Sequence, residues 1–158
     1  MTKNFIYPFC GAGGIIYQVK KLYNNIKVYS NDCAVELEPG LIEYGSVHTV
    51  GLAETYVSDV KLDSISTEIP FASKATSGVI KGIANIVKYA SQECKIVIMV
   101  AEIQKDEVCE GLKSAHLYIG GIFDVNRKGT SVSIIIAFKN KMYKDNFLEL
   151  MDVLKFVY

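Results

Sequence analysis

Cys10 stands at the tip of an apolar run and directly before a glycine turn, in residues 5–19, FIYPFCGAGGIIYQV. Gly11, Ala12, Gly13 and Gly14 follow it, and apolar residues then recur at helical spacing. Glycines let a backbone turn sharply and approach a ligand closely. The helix behind them points its unpaired amides, and the positive end of its dipole, back at the turn. A thiol in that field is expected to ionise readily, because amides and dipole both favour the charged form. Thiolates attack activated acyl groups and hold them as reactive thioesters. Cys10 is therefore the candidate nucleophile, with a ligand-lining or structural thiol as the alternative.

Asp32 closes the second apolar run, 21 residues after Gly11. Dinucleotide-type folds place an acid there for ribose hydroxyls. The turn reads GAGG rather than GxGxxG, so a tight structural turn with Asp32 as a strand-end cap also fits. A second candidate site is STEIPFASKATSG, residues 66–78. Thr67 and Glu68 are candidates for hydrogen bonds to a ribose or base. Ser73, Thr76 and Ser77 are suited to cap a helix, Lys74 sits where a helix N-terminus can hold an anion, and Lys74 and Thr76 are counted with Gly11, Ala12, Gly13, Gly14 and Asp32 as ligand-binding candidates. The plain alternative is a helix start with a solvated lysine. His48, in VHTVG, is a candidate general base or a hydrogen-bonded strand histidine. Glu54 and Glu102 follow apolar segments and are weaker candidates. Cys10, Cys33, Cys94 and Cys109 lack CxxC spacing and the only histidines are His48 and His116, so no metal site is expected.

These residues need elements to position them. Residues 4–9 read as a buried strand, 14–24 as an amphipathic helix and 26–30 as a second strand, a unit that closes by a right-handed crossover with parallel pairing. Residues 47–50 and 55–62 carry strand-like alternation, and 66–77 read as a polar loop. A helix follows with Val79, Ile80, Ile83, Ile86, Val87 and Ala90 on one face. Residues 94–101 form a continuous apolar run, expected as a central strand covered on both faces. Residues 106–114 read as a short helix, 117–125 and 131–138 as strands joined by the turn NRKG, and Phe147, Leu148, Met151 and Leu154 as a closing helical face. The fold class expected is α/β: one three-layer domain over residues 1–158, with a mixed, mostly parallel sheet and a C-terminal antiparallel hairpin.

The composition agrees. A chain of 158 residues, half of them hydrophobic, suits one domain; at that size folding buries roughly two thirds of the unfolded surface. Lys+Arg and Asp+Glu are both 17, so the net charge is zero. That balance argues against nucleic-acid or membrane-surface binding, which draws on excess basic charge, and leaves little repulsion against forming a homo-oligomer. Arg127 is the only arginine, so bidentate phosphate clamps are nearly absent. No apolar run reaches the ~18 residues of a membrane span, and the N-terminus lacks a signal-peptide pattern, so a cytoplasmic location is expected.

Two families share the YPFCGAGG region. Phe9 to Gly14 (FCGAGG) and Asp32 resemble the first motif of S-adenosylmethionine-dependent DNA methyltransferases and the acid that ends their second strand. The chain carries neither the Pro-Cys nor the Asn/Asp-Pro-Pro-aromatic signature of those enzymes, and the likeness covers about 30 residues. By its length, its lysine- and isoleucine-rich composition and the lone cysteine in FIYPFC, the chain also resembles the methanogen family that builds the iron-guanylylpyridinol cofactor of a hydrogenase (the HcgF family). That resemblance implies that Cys10 takes the carboxyl group of a guanylylpyridinol ligand as a thioester, after a carboxylate-activating (adenylating) partner enzyme has made an adenylate. The guanylyl half would lie at GAGG and Asp32. The expectation is thus a cofactor-biosynthesis enzyme acting through Cys10. The alternatives are an S-adenosylmethionine-dependent methyltransferase, a non-catalytic nucleotide- or nucleoside-binding protein, and a nucleoside-cleaving enzyme.

Overall fold

The computed structural model describes residues 2–155. The chain runs β1 (Lys3–Pro8), α1 (Gly14–Leu22), β2 (Ile26–Asp32), α2 (Glu38–Glu43), β3 (Val47–Val50), β4 (Leu62–Glu68), α3 (Thr76–Val87), β5 (Ala90–Ala101), α4 (Lys105–Ser114), β6 (Tyr118–Arg127), β7 (Thr130–Phe138) and α5 (Lys141–Lys155). The strands form one seven-stranded sheet in the order β3-β2-β1-β4-β5-β7-β6. Pairing is parallel from β3 to β5, while β7 runs antiparallel to both β5 and β6. The expected mixed, mostly parallel sheet with a C-terminal hairpin is what the molecule has.

Helices cover both faces, which makes three layers. On one face Ile6, Ile65, Ile96, Ile98, Val100 and Ile135 pack under α3 and α4. On the other, Phe5, Tyr7 and Val28 pack against Ile16 of α1 and Leu41 of α2. The register Phe5–Ser64–Lys95–Phe138 places α5 on this second face, where Phe147 meets Phe138 at 5.4 Å between ring centroids. β5 is therefore covered unequally. Ile96, Ile98 and Val100 are fully buried, whereas Lys95 is exposed and Val97 and Met99 are half-buried, because the helical layer opens between α1 and α5. Coverage on both faces was expected, and the alternation in exposure corrects it.

Two more expectations change. Of residues 55–62, expected as a strand, 55–61 are not one, and β4 begins only at Leu62 and extends through Glu68, into the expected polar loop of 66–77. The backbone ahead of β4 is satisfied by a side chain rather than a ladder: Asn85 Nδ2 donates to the carbonyls of Ala53 at 3.0 Å and Tyr56 at 2.8 Å. The helix α2, led by Pro39, had no periodic signature because it buries only Leu41. The NRKG turn formed as expected. Lys128 and Gly129 take φ of 51° and 88°, the left-handed pair that closes a two-residue hairpin, and Gly129 N–H donates to Asn126 Oδ1 at 2.7 Å. No described helix is long and apolar enough to cross a membrane.

Candidate functional site

The connection after β1 leads to β2 on one side of the sheet, while the connection after β4 leads to β5 on the other. Their loops therefore diverge at the C-terminal ends of β1 and β4, and such a switch point opens a ligand crevice. A cleft of about 360 Å³ lies there. Phe9, Leu52, Ala53, Ile69, Pro70 and Phe71 make its apolar walls, and Gly11, Asn31, Asp32, Cys33 and Glu68 supply its polar groups.

The turn after β1 is held in an unusual backbone shape. Phe9, Gly11 and Gly13 all have positive φ, at 53°, 48° and 79°. A phenylalanine in the left-handed region is a strained residue of the kind that persists at functional sites. Here it swings the Phe9 ring towards the cleft and α3, and sends the next side chain, Cys10, to the opposite face. Asp32 then bolts the turn to β2. Its Oδ2 accepts the Gly11 N–H at 2.8 Å and its Oδ1 accepts the Ala34 N–H at 3.0 Å. Each carboxylate oxygen keeps a further acceptor direction. A Cβ built on Gly11 would touch nothing within 4 Å, so that side of the turn is open.

Cys10 is the principal correction. It is 3% exposed, packs among Phe5, Tyr7, Ile16, Val28 and Leu41, and does not line the cleft. Burial, with the Asp32 charge adding to it, pushes its thiol up to about 12, the reverse of an activated thiolate. The amide expected to stabilise a thiolate, Gly11 N–H, is occupied by Asp32, whose negative charge opposes ionisation of the thiol instead. His48 is bonded to Ser30 and not to the thiol: its Nδ1 lies 2.8 Å from Ser30 Oγ, which also lies 2.7 Å from Ser46 Oγ. Burial holds the imidazole below its usual range. His116 is an exposed left-handed residue just beyond α4.

The remaining candidates divide. Gly11, Asp32 and Glu68 line the cleft. Ala12 and Gly14 are exposed beside it. Gly13 is a packing residue, because a Cβ there would lie 2.6 Å from Leu41 Cδ2. Thr67 is buried and donates its hydroxyl to the Pro8 carbonyl, stapling β4 to β1. Thr76 is fully buried and accepts from Gln104 Nε2 at 3.0 Å, so it supports the loop after β4 and faces no ligand. Gln104 Nε2 also reaches the Pro70 carbonyl at 3.0 Å. Lys74 is exposed and off the cleft wall, α3 has no side-chain cap, and the Ser73 side chain lies outside the described residues.

Several cleft residues escaped the sequence reading. Asn31 is buried, donates to the carbonyls of Thr49 at 3.0 Å and Gly51 at 3.1 Å, and offers its own carbonyl to Cys10 N–H. Cys33 is the exposed cysteine, and it faces the cleft. The β4 exit, Glu68-Ile69-Pro70-Phe71, differs from an Asn/Asp-Pro-Pro-aromatic run at two of four positions, and the acid, proline and ring it retains all line the cleft.

No protein-family model matches the chain. No curated protein matches it significantly either. Solved structures do. The chain is similar to a ribosomal protein L11 methylase from Lactobacillus delbrueckii subsp. bulgaricus, with a TM-score of 0.69 at 15% identity over 89% of this chain and 72% of that one. It is similar to an S-adenosylmethionine-dependent methyltransferase from Clostridium acetobutylicum, with a TM-score of 0.71 at 9% identity over 89% and 85%. It is also similar to an rRNA methylase from Streptococcus thermophilus, with a TM-score of 0.68 at 15% identity over 88% and 87%. At such identities the likeness is one of fold. The expectation of a guanylylpyridinol thioester on Cys10 is overturned by these neighbours together with the buried, protonated thiol, and its methyltransferase alternative moves ahead.

Proposed function

We propose that the cleft binds S-adenosylmethionine and that the chain is a methyltransferase. The observation that carries this reading is the Gly11–Asp32 bolt at the switch point of a sheet ordered β3-β2-β1-β4-β5-β7-β6, the fold shared with the methyltransferases above. When bound, the sulfonium compound supplies an electrophilic methyl group. The chain's own residues bind and orient it. The free acceptor directions of Asp32 suit two ribose hydroxyls. Phe9, Leu52 and Phe71 offer apolar surface to an adenine ring. The open side of Gly11 lets the ligand approach the backbone, and α1 begins without a side-chain cap or an acid in its first turn, leaving its amides for a carboxylate.

Calorimetric titration tests the reading. S-adenosylmethionine and S-adenosylhomocysteine should bind with dissociation constants on the order of micromolar, the usual range for such a site. Asp32→Ala should weaken both by about tenfold or more. Absence of S-adenosylhomocysteine binding by the folded protein would refute it.

A further inference from the structure

Glu68 and Arg127 come from strands at opposite ends of the sheet half they bound, and they meet at the mouth of the cleft. Glu68 ends β4 and lines the cleft, whereas Arg127 ends β6 and reaches in from the hairpin tip without lining it. The Arg127 guanidinium is ion-paired with the Glu68 carboxylate. We infer that Glu68 is the acceptor subsite of the proposed methyl transfer, that Arg127 occupies it in the absence of substrate, and that the acceptor is a small molecule presenting an amidinium- or guanidinium-type edge. The inference rests on the methyl-donor reading only in calling that ligand an acceptor.

Four observations carry it. First, the cleft is at the small end of ligand pockets, which run from about 300 to 1,000 Å³, so a nucleoside-sized donor fills it and a second substrate must enter past its rim. Second, Glu68 lines the cleft from a rigid platform. Thr67 beside it is buried and bonded to the Pro8 carbonyl, and on its other side the Ile69 N–H donates to the Met99 carbonyl at 3.0 Å. Third, the arginine is mounted on the less fixed partner. The hairpin stem is anchored by Ser133 Oγ donating to Asp124 Oδ1 at 2.6 Å and by Lys105 at 3.4 Å from the same oxygen, while Arg127 lies beyond, where the hairpin overhangs the end of β5 at Ala101–Val132. Fourth, the pair is half in water, with side-chain exposures of 54% and 31%, and such pairs hold together weakly. Arg127 engages Glu68 through Nη1 on Oε1 alone, so a cation with two parallel N–H donors can hold both carboxylate oxygens and gains the aromatic wall of Phe71 besides. Zero net charge and a single arginine, already engaged, argue for a small molecule over a polyanion.

The test titrates benzamidine, and benzamide as its uncharged counterpart, into wild type, Arg127→Met and Glu68→Gln, each with and without saturating S-adenosylhomocysteine. Benzamidine should bind wild type, bind Arg127→Met up to about fivefold more tightly, and lose at least tenfold in Glu68→Gln, while benzamide discriminates among none of them. Benzamidine binding that ignores Glu68→Gln, that weakens in Arg127→Met, or that is absent from all three proteins would overturn the inference. S-adenosylhomocysteine affinity in Arg127→Met, a residue off the cleft wall and expected to stay within threefold of wild type, reports separately on the donor reading. The ligand-free titrations decide on Glu68 whichever way that result falls.

Discussion

The loop after β1 and the loop after β4 leave the same end of the sheet side by side, and they are held by different means. The first is fixed by backbone shape and near neighbours. Three residues have positive φ, Cys10 N–H donates to Asn31 O at 3.1 Å, Gly13 N–H donates to Cys10 O at 2.9 Å, and Asp32 takes the Gly11 amide. The second is fixed by side chains from far along the chain: Gln104 holds Pro70 and Thr76, and Arg127 holds Glu68. One wall of the cleft is thus built by local conformation and the other by tertiary hydrogen bonds. The donor is assigned to the stiff wall, and the substrate edge to the wall that can exchange partners.

The largest expected effect breaks the stiff wall. Gly13→Ala combines a left-handed φ with a Cβ 2.6 Å from Leu41, and should cost about 2–4 kcal/mol of stability in urea unfolding. Gly11→Ala, where the new methyl meets open space, should cost about 1–2 kcal/mol and show its main effect on donor affinity. Next comes the other wall. Gln104→Ala strands the buried Thr76 hydroxyl and a Pro70 carbonyl, and should cost about 1–3 kcal/mol while slackening the β4 exit, seen as faster amide exchange over residues 69–75.

Alkaline pH gives a smaller, graded effect. Burial raises Cys10 and Cys94 from 9.0 to about 12, and Tyr7 from 10.0 to about 12. The native state keeps protons that the unfolded chain releases, so the stability present below pH 9 is lost as pH rises towards 12. Urea midpoints should fall between pH 8 and pH 10.5, and fall less steeply in Cys94→Ala. The smallest effect is expected at the exposed Lys141–Asp145 pair of α5, where Lys141→Ala should leave the unfolding midpoint within error.

How much of this was legible in the sequence follows the same division. Strand spacing, the glycine turn, Asp32 and the NRKG hairpin were readable because each is encoded within a few residues or one crossover unit. The orientation of Cys10 was not, because it depends on a left-handed Phe9 that no propensity signals. Thr67 and Thr76 read as ligand contacts but became staples, since their partners Pro8 and Gln104 lie 59 and 28 positions away. Asn31, Cys33 and the Pro70-Phe71 exit were missed for the same reason: only the folded sheet brings them to one cleft.

The most direct measurement is the alkylation rate of each cysteine in the native protein, with and without S-adenosylhomocysteine, resolved by peptide mass spectrometry. Cys33 is exposed at the cleft and Cys10 is buried behind it. Cys33 should label readily and be protected at least tenfold by S-adenosylhomocysteine, with Cys10 unreactive throughout. Rapid labelling of native Cys10, or a Cys33 rate indifferent to saturating S-adenosylhomocysteine, would contradict it.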